Sequence, residues 1–274
     1  MIPLIPQSYI HGGAWRDPTQ SSADFLPTLH LLLNHPSFSR ASSHIAGFAS
    51  LNYRLSAPDP SGGSPVAHPA HVDDVMQALL KLNQRYGVGN PTGHDYLLVG
   101  HSCGGTLAFQ LVGDPLLRAG LAFPDRLRRP VAVVSLSGLH DLPLLARNHA
   151  SQPVYGEFLT GAFGGDGAAW EAASPVNGAF GEEEWVVEGG GRVIVLVWSG
   201  EDGLVEEEQK SVMGAWLQSR WGFELVNPAQ SPGVTPRNRL LELEVTESHD
   251  GMWQKGDAVA QAVDAVLKQL YSDC

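Results

Sequence analysis

The pentapeptide Gly-His-Ser-Cys-Gly at residues 100–104 constrains the fold of this chain more than any other segment. A short apolar run, residues 96–99, leads into it, and a stretch of helical character, residues 106–112, follows it. A Gly-x-Ser-x-Gly motif between a strand and a helix is typical of a sharp turn that strains the serine backbone and lifts its hydroxyl above the sheet edge. Glycines flank the turn because a Cβ at either place would clash across it. We therefore predict that Ser102 is a nucleophile.

Strand-like and helix-like patterns alternate along the chain. Apolar segments with the length of buried strands are residues 8–10, 45–53, 96–99, 131–136 and 193–198. Residues 241–245 alternate between apolar and charged side chains, which is typical of an edge strand with one face in water. Apolar residues at helical spacing mark residues 72–80 and 259–270. The alternation predicts an α/β fold over one domain, residues 1–274, with a mostly parallel, doubly wound sheet and helices on both faces.

Composition and charge argue against some classes of partner. Hydrophobic residues make up 43% and charged residues 17% of the 274 residues, as in ordinary globular proteins. The 29 acidic residues outnumber the 17 basic ones and give a net charge of −12, which argues against nucleic acid or an anionic membrane as a partner. The oligomeric state stays open, a homodimer included.

Targeting signals and cysteine usage favour a reducing compartment. No apolar run approaches the ~18 residues of a membrane span, and the first residues lack the charged region and cleavage site of a signal peptide. The two cysteines are Cys103 and Cys274. A disulfide between them would obstruct the turn around Ser102, so we expect free thiols and a cytoplasmic location.

A catalytic acid and base are expected in fixed places after Ser102. A serine hydroxyl needs an imidazole to take its proton, and the imidazole needs a carboxylate to fix its tautomer. On this kind of sheet the chain order is Ser, then Asp or Glu, then His. Asp202 follows the apolar run 193–198, and His249 lies between the segment 241–245 and the last helical pattern. We predict a triad of Ser102, Asp202 and His249.

Other residues compete for these roles. Asp141 also follows a strand-like run and is the alternative acid, ranked behind Asp202. Glu201 is expected to point away from the site if the turn beside it is tight. Cys103 is expected to lend its backbone N–H rather than its thiol, because the residue after the nucleophile faces the developing oxyanion. His101 is interpreted as a packed residue of the turn rather than as a base.

A metal site is not predicted, and no cofactor is either. His68 and His71 have a spacing that can bind a metal ion, but Pro69 and the start of a helix favour a capping or solvent-facing role for them.

The segment His-Gly-Gly-Ala-Trp at residues 11–15 predicts an oxyanion hole. It follows a strand-like run, and its glycines allow two backbone N–H groups to turn toward a carbonyl oxygen that gains charge. We predict that the amides of Gly12, Gly13 and Cys103 are the donors. A simple tight turn is the alternative interpretation. With these donors, every role in acyl transfer has a candidate residue.

Residues 141–190 form a long insertion between two strand-like runs, rich in glycine and aromatic residues. Its aromatic side chains are Tyr155, Phe158, Phe163, Trp170, Phe180 and Trp185. An insertion beyond the carboxyl ends of strands is the usual place for a lid or a substrate pocket. A satellite hydrophobic cluster under a loop is the alternative.

Taken together, these motifs resemble α/β-hydrolases of the hormone-sensitive-lipase type and, more narrowly, the fungal kynurenine formamidases (arylformamidases). The narrower resemblance rests on residues 11–15, 52–55, 100–105, 137–141, 174–175 and 248–250. Only ten residues precede His11, where such hydrolases usually have one or two further strands. We therefore expect either a sheet that is reduced at this edge or a chain that starts upstream.

The resemblance implies an α/β-hydrolase fold and hydrolysis of the small molecule N-formyl-L-kynurenine to L-kynurenine and formate, in tryptophan degradation. Trp15 and the aromatic residues of the insertion would then stack on the substrate's ring. Arg16 or Arg147 is a candidate partner for its carboxylate. A carboxylesterase for small acyl esters would use the same triad, and a non-catalytic receptor on a hydrolase fold would normally lack a triad member.

Overall fold

A parallel sheet forms the centre of the computed structural model, which describes residues 6–56, 66–113, 115–178, 191–227 and 237–271. In these residues the sheet has seven strands in the order β2-β1-β3-β4-β5-β7-β6, and every neighbouring pair is parallel. The strands are β1 (Pro6–Ile10), β2 (Gly47–Leu51), β3 (Leu97–His101), β4 (Ala132–Leu136), β5 (Arg192–Ser199), β6 (Glu224–Leu225) and β7 (Asn238–Val245). This confirms the predicted α/β fold with a parallel sheet.

Helices connect the strands and cover both faces of the sheet. The α-helices are α1 (Leu26–Asn34), α2 (Ser39–Ser42), α3 (Ala70–Tyr86), α4 (Cys103–Val112), α5 (Pro115–Arg118), α6 (Leu142–Asn148), α7 (Pro153–Phe163), α8 (Gly167–Ala173), α9 (Glu207–Trp221), α10 (Gly251–Lys255) and α11 (Asp257–Leu270). Short 3-10 turns cover Ser22–Phe25, Pro36–Phe38 and Pro175–Asn177. None of the helices in the described part of the chain combines the length and apolar character needed to cross a membrane.

The continuous apolar runs of the sequence fill two hydrophobic layers. Leu98 packs in the layer that contains α3, α4 and α9, whereas its neighbours Leu97 and Val99 pack in the layer that contains α1 and α11. The same alternation occurs in β5, where Ile194 and Val195 belong to opposite layers. Both faces of the central strands are therefore dry, as a parallel sheet covered by crossover helices requires.

The predicted edge strand is only half right. β7 lies inside the sheet, because the two-residue strand β6 pairs with Arg239 and Leu240. Along residues 241–245 the described chain provides no strand outside β7, and there Glu242, Leu243 and Glu244 are partly or fully exposed. The alternating pattern at residues 241–245 therefore corresponds to the half of β7 that does not pair with β6 and is an edge of the sheet.

Helices α6, α7 and α8 occupy half of the predicted insertion 141–190. Residues 179–190, with Phe180 and Trp185, lie outside the described residues, and so do residues 57–65 and Cys274. A lid function for the insertion stays a prediction.

The turn between β3 and α4 packs against the end of β1 with no room for side chains at its glycines. A Cβ on Gly104 would overlap the carbonyl oxygen of Ile10, and a Cβ on Gly100 would overlap the carbonyl of Gly104 itself. Both neighbours are backbone atoms, which cannot rotate away. The glycines of the sequence motif are therefore required by packing.

We expect Gly104→Ala to lower the free energy of unfolding by about 1–3 kcal/mol, because the added methyl group forces the turn away from β1. Chemical denaturation followed by circular dichroism measures this change. Gly161→Ala is the matched control, because a Cβ at this position in α7 meets no atom within 4 Å. That variant should be neutral or more stable by up to about 1 kcal/mol, since alanine favours a helix over glycine. Equal stability of Gly104→Ala and wild type would contradict the packing requirement.

Candidate active site

Ser102 occupies the sharp turn between β3 and α4 in a strained backbone conformation. Its φ is +54° and its ψ is −124°, values that non-glycine residues rarely adopt. Its N–H donates to the carbonyl oxygen of Leu136 at 2.8 Å, and its carbonyl oxygen accepts from the N–H of Gly105 at 2.9 Å. These bonds fix the turn at the carboxyl ends of β3 and β4. Strain that the surroundings hold in this way is common at functional sites.

Asp202 and His249 form a buried hydrogen-bonded pair near the same end of the sheet. Asp202 follows β5 and His249 lies between β7 and α10, and Nδ1 of His249 donates to Oδ2 of Asp202 at 2.8 Å. The Asp202 side chain is 1% exposed and that of His249 is 8% exposed. Oδ1 of Asp202 accepts from the amides of Leu204 and Val205 at 2.8 and 3.0 Å. The structure thus brings these two predicted residues together across the sheet.

The surroundings of Asp202 keep its carboxylate charged. Burial by itself opposes ionisation, but the hydrogen bond and charge of His249, with further hydrogen bonds from Ser137 and the Leu204 amide, outweigh it and lower the pKa of Asp202 to about 2. An ionised Asp202 can only accept in its hydrogen bond with His249, so the proton of the neutral imidazole is on Nδ1. The neutral imidazole then has its Nε2 lone pair free to accept a proton, which is the tautomer that a general base needs.

His101 supports the segment that carries His249. Its Nε2 donates to the carbonyl oxygen of His249 at 3.1 Å, and the two rings lie 4.6 Å apart between centroids. Complete burial, together with the neighbouring His249, holds the pKa of His101 well below its ordinary value. His101 is therefore a neutral, packed residue of the turn, as the sequence indicates.

The Gly12–Gly13 segment passes directly beside Ser102. A Cβ on Gly12 would lie 3.2 Å from Cβ of Ser102. Gly13 has φ +93°, and its carbonyl oxygen accepts from the amides of Arg16 and Asp17, both at 2.9 Å. Within the described ranges, the amides of Gly12 and Gly13 donate no hydrogen bond to another protein group. They are available to a bound molecule, as an oxyanion hole requires.

Cys103 is the first residue of α4, so its amide lacks an intrahelical partner. Its thiol is buried, and Sγ accepts from the N–H of Trp15 at 3.3 Å. Burial raises the pKa of this thiol to about 11. The thiol therefore stays protonated, and Cys103 is not an activated nucleophile.

Ser102 and His249 both open on a cavity of about 310 Å³. Its lining residues are Gly13, Ala14, Arg16, Asp17, Gln20, Ser102, Leu139, Gln152, Val154, Tyr155, Phe158, Leu204, Val205, His249 and Asp250. One part of the wall is apolar and comes from α7 and residues 204–205. Another part is charged and comes from residues 16–17 and 250. The cavity therefore suits a molecule with an aromatic or apolar body and a charged end.

Trp15 differs from the sequence-based expectation. Its indole is fully buried and lies outside the cavity lining. The ring packs edge-on against Phe163 with 4.9 Å between centroids, and it lies 6.2 Å from Phe158. Trp15 therefore stands behind the cavity wall and supports Phe158, whereas Phe158 and Tyr155 are the aromatic side chains that face the cavity.

The competing residues have other partners. Asp141 caps α6, because its Oδ1 accepts from the amide of Leu144 at 2.9 Å. Glu201 is exposed.

His71 is fully buried, and its Nε2 forms a 2.9 Å hydrogen bond with the hydroxyl of Ser56. The capping or solvent-facing role expected for His71 is therefore wrong, because α3 packs this residue against the core, whereas His68 is half-buried. Among the described residues, no group of three or more His, Cys, Asp or Glu side chains is arranged to hold a metal ion.

Sequence reasoning missed several cavity residues. Gln152, Leu204 and Val205 belong to separate segments and carry no motif of their own. Leu139 lies in the segment 137–141, but that motif assigns it no role in a cavity wall. The available signal is position in the chain, shortly after β4, before α7 and after Asp202.

Comparisons with known proteins identify the family. No family model matches the chain. A kynurenine formamidase-like hydrolase, fscH, from Fusarium equiseti is 34% identical over 273 residues, 96% of this chain and 82% of the relative. The kynurenine formamidase avaC from Aspergillus versicolor is 33% identical, over 94% of this chain and 87% of the relative. The kynurenine formamidase of Meyerozyma guilliermondii is 34% identical over 77% of this chain and 71% of its own length.

Solved structures show the same fold. Esterase B from Lactobacillus Rhamnosis superposes with a TM-score of 0.60 at 17% identity, covering 98% of this chain and 78% of that structure. Carboxyl esterase 2 from Tuber melanosporum superposes with a TM-score of 0.58 at 18% identity, covering 98% and 79%. The protein thus has the α/β-hydrolase fold, and its identity to the curated relatives shows that the chain belongs to the kynurenine formamidase family.

Proposed function

We propose that this protein hydrolyses N-formyl-L-kynurenine to L-kynurenine and formate through a formyl-enzyme intermediate on Ser102. One observation carries the proposal. The strained Ser102 and the paired imidazole of His249 open on one cavity, beside amides of the Gly12–Gly13 segment that have no protein partner in the described chain. Family membership supports the choice of substrate.

The proposed reaction has two halves. Oγ of Ser102 attacks the formyl carbon while Nε2 of His249 takes the hydroxyl proton, and the carbonyl oxygen becomes an oxyanion bound by the amides of Gly12, Gly13 and Cys103. His249 then gives the proton to the aryl amine nitrogen, the C–N bond breaks, and L-kynurenine leaves. Water next attacks the formyl ester as His249 takes its proton. Ser102 regains a proton from His249, and formate leaves.

The cavity supports this substrate class by its shape and chemistry. A formyl group carries only hydrogen beyond its carbonyl, so it needs little space next to Ser102. Tyr155 and Phe158 supply aromatic surface on the wall formed by α7. Tyr155 is fixed because its hydroxyl donates to the carbonyl oxygen of Leu204 at 2.7 Å and because His149 stacks on its ring at 3.9 Å. A rigid aromatic face of this kind suits an aryl amine.

Arg16 is the proposed partner of the substrate carboxylate. It lines the cavity, and its ion pair with Glu157 is loose, with 3.9 Å between Nη1 and Oε2. Arg147 is exposed and lies outside the cavity lining. Asp17 and Asp250 place negative charge on the same wall, where it would attract the substrate's ammonium group.

We expect Ser102→Ala to lose at least about 1,000-fold in kcat for N-formyl-L-kynurenine, because the nucleophile is removed. The assay should include a short p-nitrophenyl ester and labelling by a fluorophosphonate, both of which should fail in the variant. Strong ester turnover by the wild type without formamide turnover would move the protein to the carboxylesterases. Retained formamide turnover in Ser102→Ala would contradict the proposed nucleophile.

We expect Asp202→Asn to lower kcat by about 1,000- to 10,000-fold, because an amide favours the tautomer of His249 that cannot accept the serine proton. Asp141→Asn is the matched control. Asparagine caps a helix about as well as aspartate, so that variant should stay within about 2-fold of the wild type. Because the pKa of Asp202 is about 2, wild-type activity between pH 5 and pH 9 should show no titration of this carboxylate. A larger loss in Asp141→Asn than in Asp202→Asn would exchange the two assignments.

We expect Arg16→Ala to raise KM for N-formyl-L-kynurenine by about 10- to 100-fold, the value of a hydrogen bond to a charged group, with a smaller change in kcat. Formanilide, which lacks the amino-acid end, should react equally well with variant and wild type. Arg147→Ala serves as the control of equal charge and should leave KM unchanged. Equal KM values in Arg16→Ala and wild type would exclude Arg16 as the carboxylate partner.

A further inference from the structure

Tyr53 places a buried hydroxyl against the backbone of the predicted oxyanion hole. It follows β2, and the parallel register that pairs Ile10 with Leu51 brings it beside His11. Its side chain is buried, and its hydroxyl lies 3.1 Å from the carbonyl oxygen of His11 and 3.1 Å from that of Gly12. A carbonyl oxygen only accepts, so the phenol is the donor, and its single proton is shared between the two carbonyl oxygens.

The geometry of the peptide bond gives these contacts a consequence. In a trans peptide the C=O of one residue and the N–H of the next point in opposite directions. The carbonyls of His11 and Gly12 belong to the same peptide groups as the amides of Gly12 and Gly13. A phenol that holds both carbonyls on one side therefore directs both amides to the other side, where Gly12 approaches Ser102.

His11 strengthens the same arrangement. Its ring stacks on the ring of Tyr53, with 4.4 Å between centroids and 12° between planes. Its Nδ1 donates to the carbonyl oxygen of Gly12 at 2.9 Å. Burial lowers the pKa of His11 and raises that of Tyr53 well above its ordinary value, so the imidazole is neutral and the phenol keeps its proton. The donors that orient these peptide groups are therefore constant in the neutral pH range.

Cys103 connects this cluster to the turn around Ser102. Its Sγ lies 3.4 Å from the hydroxyl of Tyr53, and it accepts from the N–H of Trp15. The residue whose amide is the remaining predicted donor thus contacts the same phenol.

We propose that Tyr53 is a positioning residue for transition-state binding, which holds the Gly12 and Gly13 amides toward the oxygen of the reacting carbonyl. This inference rests on the proposed function insofar as that function needs an oxyanion hole. Tyr53 does not line the cavity, so it acts through the backbone and not by touching the substrate.

The test is Tyr53→Phe, which removes the hydroxyl and keeps the ring that stacks on His11. Loss of one complete oxyanion donor costs about 100- to 1,000-fold, so a loss of orientation should lower kcat by about 10- to 100-fold and leave KM within about 3-fold. A reversible trifluoromethyl ketone, which forms a tetrahedral adduct with a nucleophilic serine, should lose affinity by the same factor as kcat/KM. A merely structural role would not produce this parallel loss.

Tyr96→Phe is the matched control. Tyr96 is fully buried in the same hydrophobic layer as Tyr53, and its hydroxyl has no hydrogen-bond partner in the described chain. This variant loses the same group away from the oxyanion hole, so it should keep kcat and inhibitor affinity within about 2-fold. Unchanged kcat in Tyr53→Phe, or a rise in KM alone, or an equal loss in Tyr96→Phe, would overturn the positioning role.

The ketone also separates this inference from the proposed function. Its adduct with a serine nucleophile forms without a leaving group, so its affinity can be measured whatever the substrate is. If N-formyl-L-kynurenine is not the substrate, kcat/KM for an ester can be compared with that affinity instead. Failure of the ketone to bind the wild type would count against both the nucleophile and the positioning role. Tight binding that is equal in wild type and Tyr53→Phe would overturn the positioning role alone.

Discussion

The close contact between the turn that carries Ser102 and the end of β1 is the constraint on which the rest of the site depends. Gly104 packs against the carbonyl oxygen of Ile10 with no space for a Cβ, and the chain of β1 continues from that point into Gly12 and Gly13. This approach brings a serine from β3 and amides from the end of β1 into one place. A wider gap would separate the proposed nucleophile from its proposed oxyanion donors, even if the Ser102 turn and the Gly12–Gly13 segment each kept their own geometry.

A second constraint is electrostatic, because the site keeps a carboxylate out of water. Removing a charge from water is costly unless it is paired and hydrogen-bonded. Asp202 meets this condition with His249 on one oxygen and the Leu204 and Val205 amides on the other. The same bonds that offset desolvation also fix the direction in which His249 presents its other nitrogen. Stability of the Asp202 charge and orientation of the His249 ring therefore have one structural origin.

The sequence predicts those parts of the site that impose local backbone requirements. The Gly-x-Ser-x-Gly turn and the paired glycines at 12–13 are readable because only glycine meets the packing or the dihedral angle there. Asp202 and His249 are readable because parallel strands end at one edge of a sheet, so position after a strand implies proximity. The fold class follows from the same alternation of strands and helices.

The remaining parts depend on tertiary packing that leaves no pattern in the chain. An aromatic residue after His-Gly-Gly reads equally well as a substrate platform or as core, and the position of α7 decides in favour of core for Trp15. The sequence places Tyr53 in the segments 45–53 and 52–55 but indicates no role for its hydroxyl, because the partners of that hydroxyl are backbone carbonyls, which have no sequence signature. The cavity wall joins residues from loops and helices that are far apart in sequence.

The residues that the sequence predicts and those that only tertiary packing identifies also make different contributions to the site. The strand ends and the turns that follow them provide Ser102, Asp202, His249 and the glycine amides, whereas α7 and the segment after Asp202 provide most of the apolar wall. The esterase structures share the fold at 17–18% identity, which concerns the sheet and its helices and leaves the substrate open. The alignment with the formamidase relatives, at 33–34% identity, covers 94–96% of the chain and so is not confined to the strand ends and turns. In the proposed reaction the leaving group lies against this wall, so the wall rather than the proposed triad would distinguish an aryl formamide from a simple ester.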